Sequence, residues 1–126
     1  MKKYDILVVD DSENFRDLIK DFLQKQSEVG KVLASGSGAE AIECLKSFNP
    51  SVILMDIVMP GMNGFEASQK IRQINSEIPI IILSGYEVTD WREAVEKLGL
   101  NGFVNKVNLV SELMPVIFKS LRNKQI

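Results

Sequence analysis

Three short runs of this chain are apolar at every position: Ile6-Leu7-Val8-Val9, Val52-Ile53-Leu54-Met55 and Ile80-Ile81-Ile82-Leu83. A strand with one wet face alternates apolar and polar residues, so runs without alternation are strands covered on both faces. Segments of helical periodicity separate them from end to end, which predicts repeated βα units and a parallel sheet. Two further strands, about Lys31 to Ser35 and Gly102 to Asn105, are shorter and more mixed and suit flanking positions. Five units joined by right-handed crossovers make a doubly wound α/β sandwich of three layers.

The first helix carries the stripe Phe15, Leu18, Ile19, Phe22 and Leu23, with Ser12 as N-cap. The second runs from about Gly38 to Phe48, with Ala41, Ile42, Leu45 and Phe48 inward, and Asn49-Pro50 stops it. The third begins near Asn63-Gly64 and is expected to bury Phe65, Ser68, Ile71 and Ile74. The fourth, about Thr89 to Leu98, puts Trp91, Ala94, Val95 and Leu98 on one side before Gly99 ends it. Trp91 reads as core or as an anchor for a partner, and partial burial is expected. The last contains Leu113, Val116, Ile117 and Leu121, and Pro115 either lies near its start or kinks it. Lys119, Arg122 and Lys124 read as a solvated basic ending.

A chain of 126 residues suggests one domain. A net charge of −2 gives no global attraction for nucleic acid. No apolar run approaches the ~20 residues of a membrane span. The start, Met1-Lys2-Lys3-Tyr4-Asp5, lacks the apolar stretch of a secretory signal. The lone Cys44 excludes an internal disulfide and reads as helix packing. The absence of histidine excludes histidine catalysis and histidine metal ligands. These features point to the cytoplasm.

Polar residues close the apolar runs. Asp10 and Asp11 follow the first, Asp56 the second and Ser84 the third, while Lys106 follows Phe103-Val104-Asn105. In a parallel sheet all five share the carboxyl edge, where doubly wound folds bind ligands. Like charges ~4 Å apart at an effective dielectric near 20 repel by on the order of 4 kcal/mol. A hard cation relieves this, and Mg²⁺, which keeps several waters and needs few carboxylates, fits best. Lys106 can pair with a carboxylate or a phosphoryl oxygen, Ser84 can donate to that oxygen, and a carboxylate can itself be the nucleophile. Each residue alone reads as a cap or loop residue; their joint placement is what points to a pocket.

The segments Leu7-Val8-Val9-Asp10-Asp11-Ser12, Leu54-Met55-Asp56-Ile57-Val58-Met59-Pro60-Gly61-Met62-Asn63-Gly64, Ile82-Leu83-Ser84-Gly85 and Gly102-Phe103-Val104-Asn105-Lys106 resemble the receiver domain of two-component response regulators. The resemblance spans essentially the whole chain. It implies a flavodoxin-like fold with strand order 2-1-3-4-5, and a single receiver domain over residues 1–126 with no output domain. It implies that Asp56 accepts a phosphoryl group from a sensor histidine kinase or phosphotransfer protein. Asp10 and Asp11 would hold Mg²⁺ with Asp56 and the backbone carbonyl of Val58. Ser84 and Lys106 would contact the phosphoryl oxygens, and Phe103 would turn inward as Ser84 moves. The face of the fourth helix, fifth strand and fifth helix would then meet an output partner or a missing effector domain. A homodimer stays open; direct nucleic-acid or membrane binding is not expected.

Two departures stand out. The family usually has a cis proline after the lysine, whereas this chain has Val107. A non-proline cis bond costs ~2.5–4 kcal/mol, which puts the reach of Lys106 in question. Val58 and Tyr86, two residues after Asp56 and Ser84, flank the path of an attacking water in the family; neither favours hydrolysis, so slow self-dephosphorylation is expected. Three other functions match parts of the pattern. A phosphorylation-independent interaction module would leave the acids vestigial. A Mg²⁺-dependent phosphohydrolase would need a further acid. Flavin-type phosphate binding is weak, because the first loop offers acids and Gly36-Ser37-Gly38 lacks the full glycine fingerprint.

Overall fold

The structure, a computed structural model, describes residues 3–85 and 91–124. The elements are β1 (Tyr4–Val9), α1 (Glu13–Gln24), β2 (Val29–Ser35), α2 (Gly38–Cys44), β3 (Val52–Asp56), α3 (Gly64–Ile74), β4 (Ile80–Ser84), α4 (Trp91–Leu98), β5 (Gly102–Asn105), a 3₁₀ turn (Lys106–Asn108) and α5 (Leu109–Lys124). All strand pairs are parallel, in the order β2-β1-β3-β4-β5. The mixed strands β2 and β5 take the edges, as their sequences predict. Strand order reverses beside β1, because the chain leaves it for β2 on one side and then crosses to β3 on the other.

The unalternating runs are explained by two cores. Along β1, β3 and β4, Ile6, Val8, Val52, Leu54, Ile81 and Leu83 face one cluster with Ile19 and Leu23 of α1 and Leu113 and Ile117 of α5. The residues between them, Leu7, Val9, Ile53, Met55, Ile80 and Ile82, face a second cluster with Ala41 of α2 and Ala67 and Ile71 of α3. Each fully buried Leu, Ile or Val contributes about 1.5–3 kcal/mol from area removed from water. Because both faces are covered, slipping a central strand by one residue would still present apolar groups.

Several expectations need correction. Leu18 is 60% exposed and Ile74 61%, although both sit on helical apolar stripes. Helix α2 ends at Cys44 rather than Phe48. Beyond it, Lys46 and Ser47 donate to carbonyls three residues back, a tighter winding that precedes Pro50. Strand β2 begins at Val29, two residues before the expected Lys31. Pro115 lies inside α5, where it has no N–H to offer the preceding turn; it points outward and the helix runs past it. Tyr86 and Thr89 lie outside the described residues, as do the side chains of Trp91, Ala94, Val95 and Lys124. Among the described residues no helix is long and apolar enough to cross a membrane.

Candidate functional site

Asp10 follows β1, and Asp56 and Ser84 end β3 and β4, so the parallel sheet delivers all three to one edge. The register confirms the level: Val9 stands opposite Met55, Asp56 opposite Leu83, and Ser84 opposite Asn105. Asp10, Ser84 and Asp56 are buried, at 1%, 1% and 5% exposure, while Asp11 faces solvent. Carboxylate oxygens of Asp10, Asp11 and Asp56 lie within 4.8 Å of one another. Lys106 bridges two of them, with Nζ 2.7 Å from Asp10 Oδ2 and 3.2 Å from Asp56 Oδ1.

The electrostatics follow from this crowding. Burial, and next the charge of Asp10, push the Asp56 carboxyl above the ordinary carboxylate range; Lys106 opposes the shift and Asp11 adds to it. Burial works against the charge on Lys106, but its hydrogen bond to Asp10 and the charges of Asp10 and Asp56 outweigh that and hold its pKa above the usual value. Three acids and one amine leave a net negative cluster of hard oxygen donors. Such a set fits a divalent cation of the Mg²⁺ class and gives no soft ligand for zinc.

Each of the two buried acids has a local device behind it. Ser12 N–H donates to Asp10 Oδ1 at 2.8 Å, and Ser12 Oγ in turn accepts from Phe15 N–H, capping α1 as expected. Arg16, one turn into the helix, donates to the Asp10 carbonyl at 2.7 Å. Behind Asp56 the chain turns back through Gly61, at φ +76°, into an Asn63–Glu66 capping box at the start of α3. Gly64 then packs on the β3 end itself. A Cβ on it would fall 2.1 Å from the Asp56 carbonyl oxygen, and its N–H donates to the Ile57 carbonyl at 2.8 Å. Only glycine permits that approach.

The turn after β5 answers the question raised by Val107. Among the described residues no peptide bond is cis, so Lys106–Val107 is trans. The Asn105 side chain accepts from Val107 N–H at 3.0 Å and caps the 3₁₀ turn that starts at Lys106. From that turn the amine still reaches both Asp10 and Asp56. Phe103 is half-buried against the α2/α3 cluster, and Val58 is 56% exposed beside the acids.

Sequence reasoning found the five polar residues and missed their supports. Phe15 packs against the α1/α5 core as its place on the apolar stripe predicts, and its ring also carries Lys106 Nζ 4.1 Å from its centroid. Arg16 and Asn105 carried no signal, because each acts on a backbone group whose position only the fold defines. Gly64 was visible as a helix start, but not as the point where two backbones touch.

The response regulator receiver domain profile matches residues 6–118 of the chain. The chain belongs to that family. Among its relatives, the chemotaxis protein CheY of Halobacterium salinarum is 32% identical over 101 residues, covering 80% of this chain and 82% of CheY. The transcriptional regulatory protein DegU of Brevibacillus brevis is 34% identical over 82% of this chain, but the match spans only 44% of DegU. The response regulator domain of Thermotoga maritima CheB superposes with a TM-score of 0.86 at 28% identity, covering 96% of this chain and 98% of that one. The chain is thus a receiver domain of the two-component type, with the sheet order and helical layers read from its sequence.

Proposed function

We propose that this receiver domain is a phosphoacceptor switch with Asp56 as the acceptor. The observation that carries the reading is the convergence of Asp10, Asp11 and Asp56, with Lys106 Nζ reaching both Asp10 and Asp56. An Asp56 carboxylate oxygen attacks the phosphorus of a donor phosphohistidine on a sensor kinase or phosphotransfer protein. The O–P bond forms as the N–P bond breaks, and the imidazole nitrogen leaves with the electron pair and takes up a proton. Asp10, Asp11, Asp56 and the Val58 carbonyl would hold Mg²⁺, which supplies neutralisation of the phosphoryl charge. Lys106 moves from the carboxylate to a phosphoryl oxygen, and Ser84 donates to another.

The product carries nearly two negative charges and three acceptor oxygens where one charge stood. Moving a conformational equilibrium from 1:99 to 99:1 takes about 5.5 kcal/mol of differential interaction, which a few charge-assisted hydrogen bonds supply. Ser84 and Phe103 would relay this to the face of α4, β5 and α5, where an output partner or effector domain docks. The exposed Val58 offers no group to orient water, which supports a long-lived phosphoryl group. The reach of Lys106 despite Val107 weighs against a vestigial acid cluster.

The test is intact-mass measurement after incubation with acetyl phosphate and Mg²⁺. An adduct of one phosphoryl group on the wild type, lost in Asp56→Asn and in the absence of Mg²⁺, is expected. An equal adduct on the Asn variant would remove Asp56 from the acceptor role.

A further inference from the structure

Lys106 is tied at both ends of its side chain. The Asn105 cap holds its backbone turn. Its amine rests over the Phe15 ring at 4.1 Å from the centroid, with Asp10 and Asp56 as its anionic partners. The contacts close a circuit. Asp10 Oδ1 accepts from Ser12 N–H, Ser12 Oγ accepts from Phe15 N–H, the Phe15 ring carries Lys106, and Lys106 donates back to Asp10 Oδ2. The N-cap that starts α1 therefore also holds the backbone from which the ring projects.

A ring face attracts a cation without fixing the direction of its N–H bonds. A carboxylate does fix them. An amine held by Asp10 alone would leave that partner only by giving up its strongest contact. Over the ring it stays confined near both acids while its hydrogen bonds change. The half-buried lysine stem, with four rotatable bonds, otherwise has considerable freedom to lose.

We propose that Phe15 is a positioning residue for Lys106, its ring face guiding the amine between Asp10 and the phosphoryl group on Asp56. The proposal rests on the phosphoacceptor reading. Its occupant is part of this chain, and no partner is needed for it.

Three variants separate the ring face from mere bulk. Phe15→Leu keeps an apolar side chain and removes the π face, whereas Phe15→Tyr and Phe15→Trp keep it. The first readout is the proton chemical shift of the Lys106 Hε groups, moved upfield by a ring beneath them. The upfield shift is expected in wild type, Tyr and Trp and lost in Leu. The second is the initial rate of adduct formation with acetyl phosphate and Mg²⁺, expected to be about three- to tenfold slower in Leu and near wild type in Tyr and Trp. Thermal unfolding of each variant identifies a Leu protein that is merely destabilised; in that event equal slowing of Tyr and Trp overturns the proposal, and their retention of rate upholds it. A folded Leu variant that reacts at the wild-type rate overturns the proposal while Asp56 remains the acceptor. A wild type that takes no phosphoryl group overturns the acceptor reading and this one with it.

Discussion

Lys106 Nζ lies 2.7 Å from Asp10 Oδ2, although the two residues are 96 positions apart in the chain. The pair joins the end of an edge strand to the end of the strand at the reversal point, beside two more acids. It compensates part of the like-charge repulsion there and leaves Asp56, with the longer contact at 3.2 Å, the less well served of the two buried acids.

The first prediction follows from that imbalance. The native Asp56 carboxyl titrates above its ordinary value of 3.8, chiefly because it is buried and faces Asp10. Between the ordinary and the raised value the native state binds more protons than the unfolded chain, so stability falls as pH rises through that window. The cost is absent below the ordinary value and complete above the raised one. Asp56→Asn removes it. Its thermal midpoint at pH 7 should exceed the wild type's by roughly 2–6 °C, the shift that ~1 kcal/mol makes in a domain of this size. The advantage should shrink toward pH 4. A variant less stable than wild type at neutral pH would contradict the charge-crowding account.

Gly64→Ala tests the contact between α3 and the end of β3. The new methyl would fall 2.1 Å from the Asp56 carbonyl oxygen, which is backbone and has no rotamer to yield. Either the helix start or the acceptor residue must move. A loss of about 2–4 kcal/mol in urea unfolding is expected, the upper range for overpacking. A neutral substitution would mean that the loop is free to withdraw.

The fold was more legible than the site's supports, for a physical reason. Runs such as Ile80-Ile81-Ile82-Leu83 state their burial directly, and their polar terminators mark one edge of any parallel sheet. Periodicity says which face of a helix is apolar, but not how far the neighbouring layer extends. Leu18 and Ile74 match the helical stripe and still stand in solvent because, among the described residues, nothing covers them. Arg72 shows the converse. On α3 it is half-buried and donates to the carbonyls of Leu98, Asn75 and Gly99 and to Asn101 Oδ1. Asn101 Oδ1 also accepts from Ile80 N–H at 2.8 Å. Apart from Asn75, three residues along, those acceptors lie between Leu98 and Asn101, far away in the chain, so no local pattern announces them.

Arg72→Met gives the third prediction. It keeps most of the aliphatic stem and removes every donor, leaving the end of α4 without its cap. A cost of about 2–4 kcal/mol is expected from the unmatched carbonyls. Amide exchange should quicken locally at Leu98 to Asn101, measured by hydrogen–deuterium exchange. Unchanged exchange there would show that water replaces the guanidinium without loss.

The touching backbones at Gly64 also bear on how such a chain can change over generations. Any single-base change of a glycine codon that alters the residue introduces a side chain, and every side chain begins with the carbon that does not fit. No one-step neighbour is therefore acceptable at position 64 unless the loop below Asp56 is rebuilt first. Position 64 can change only in company.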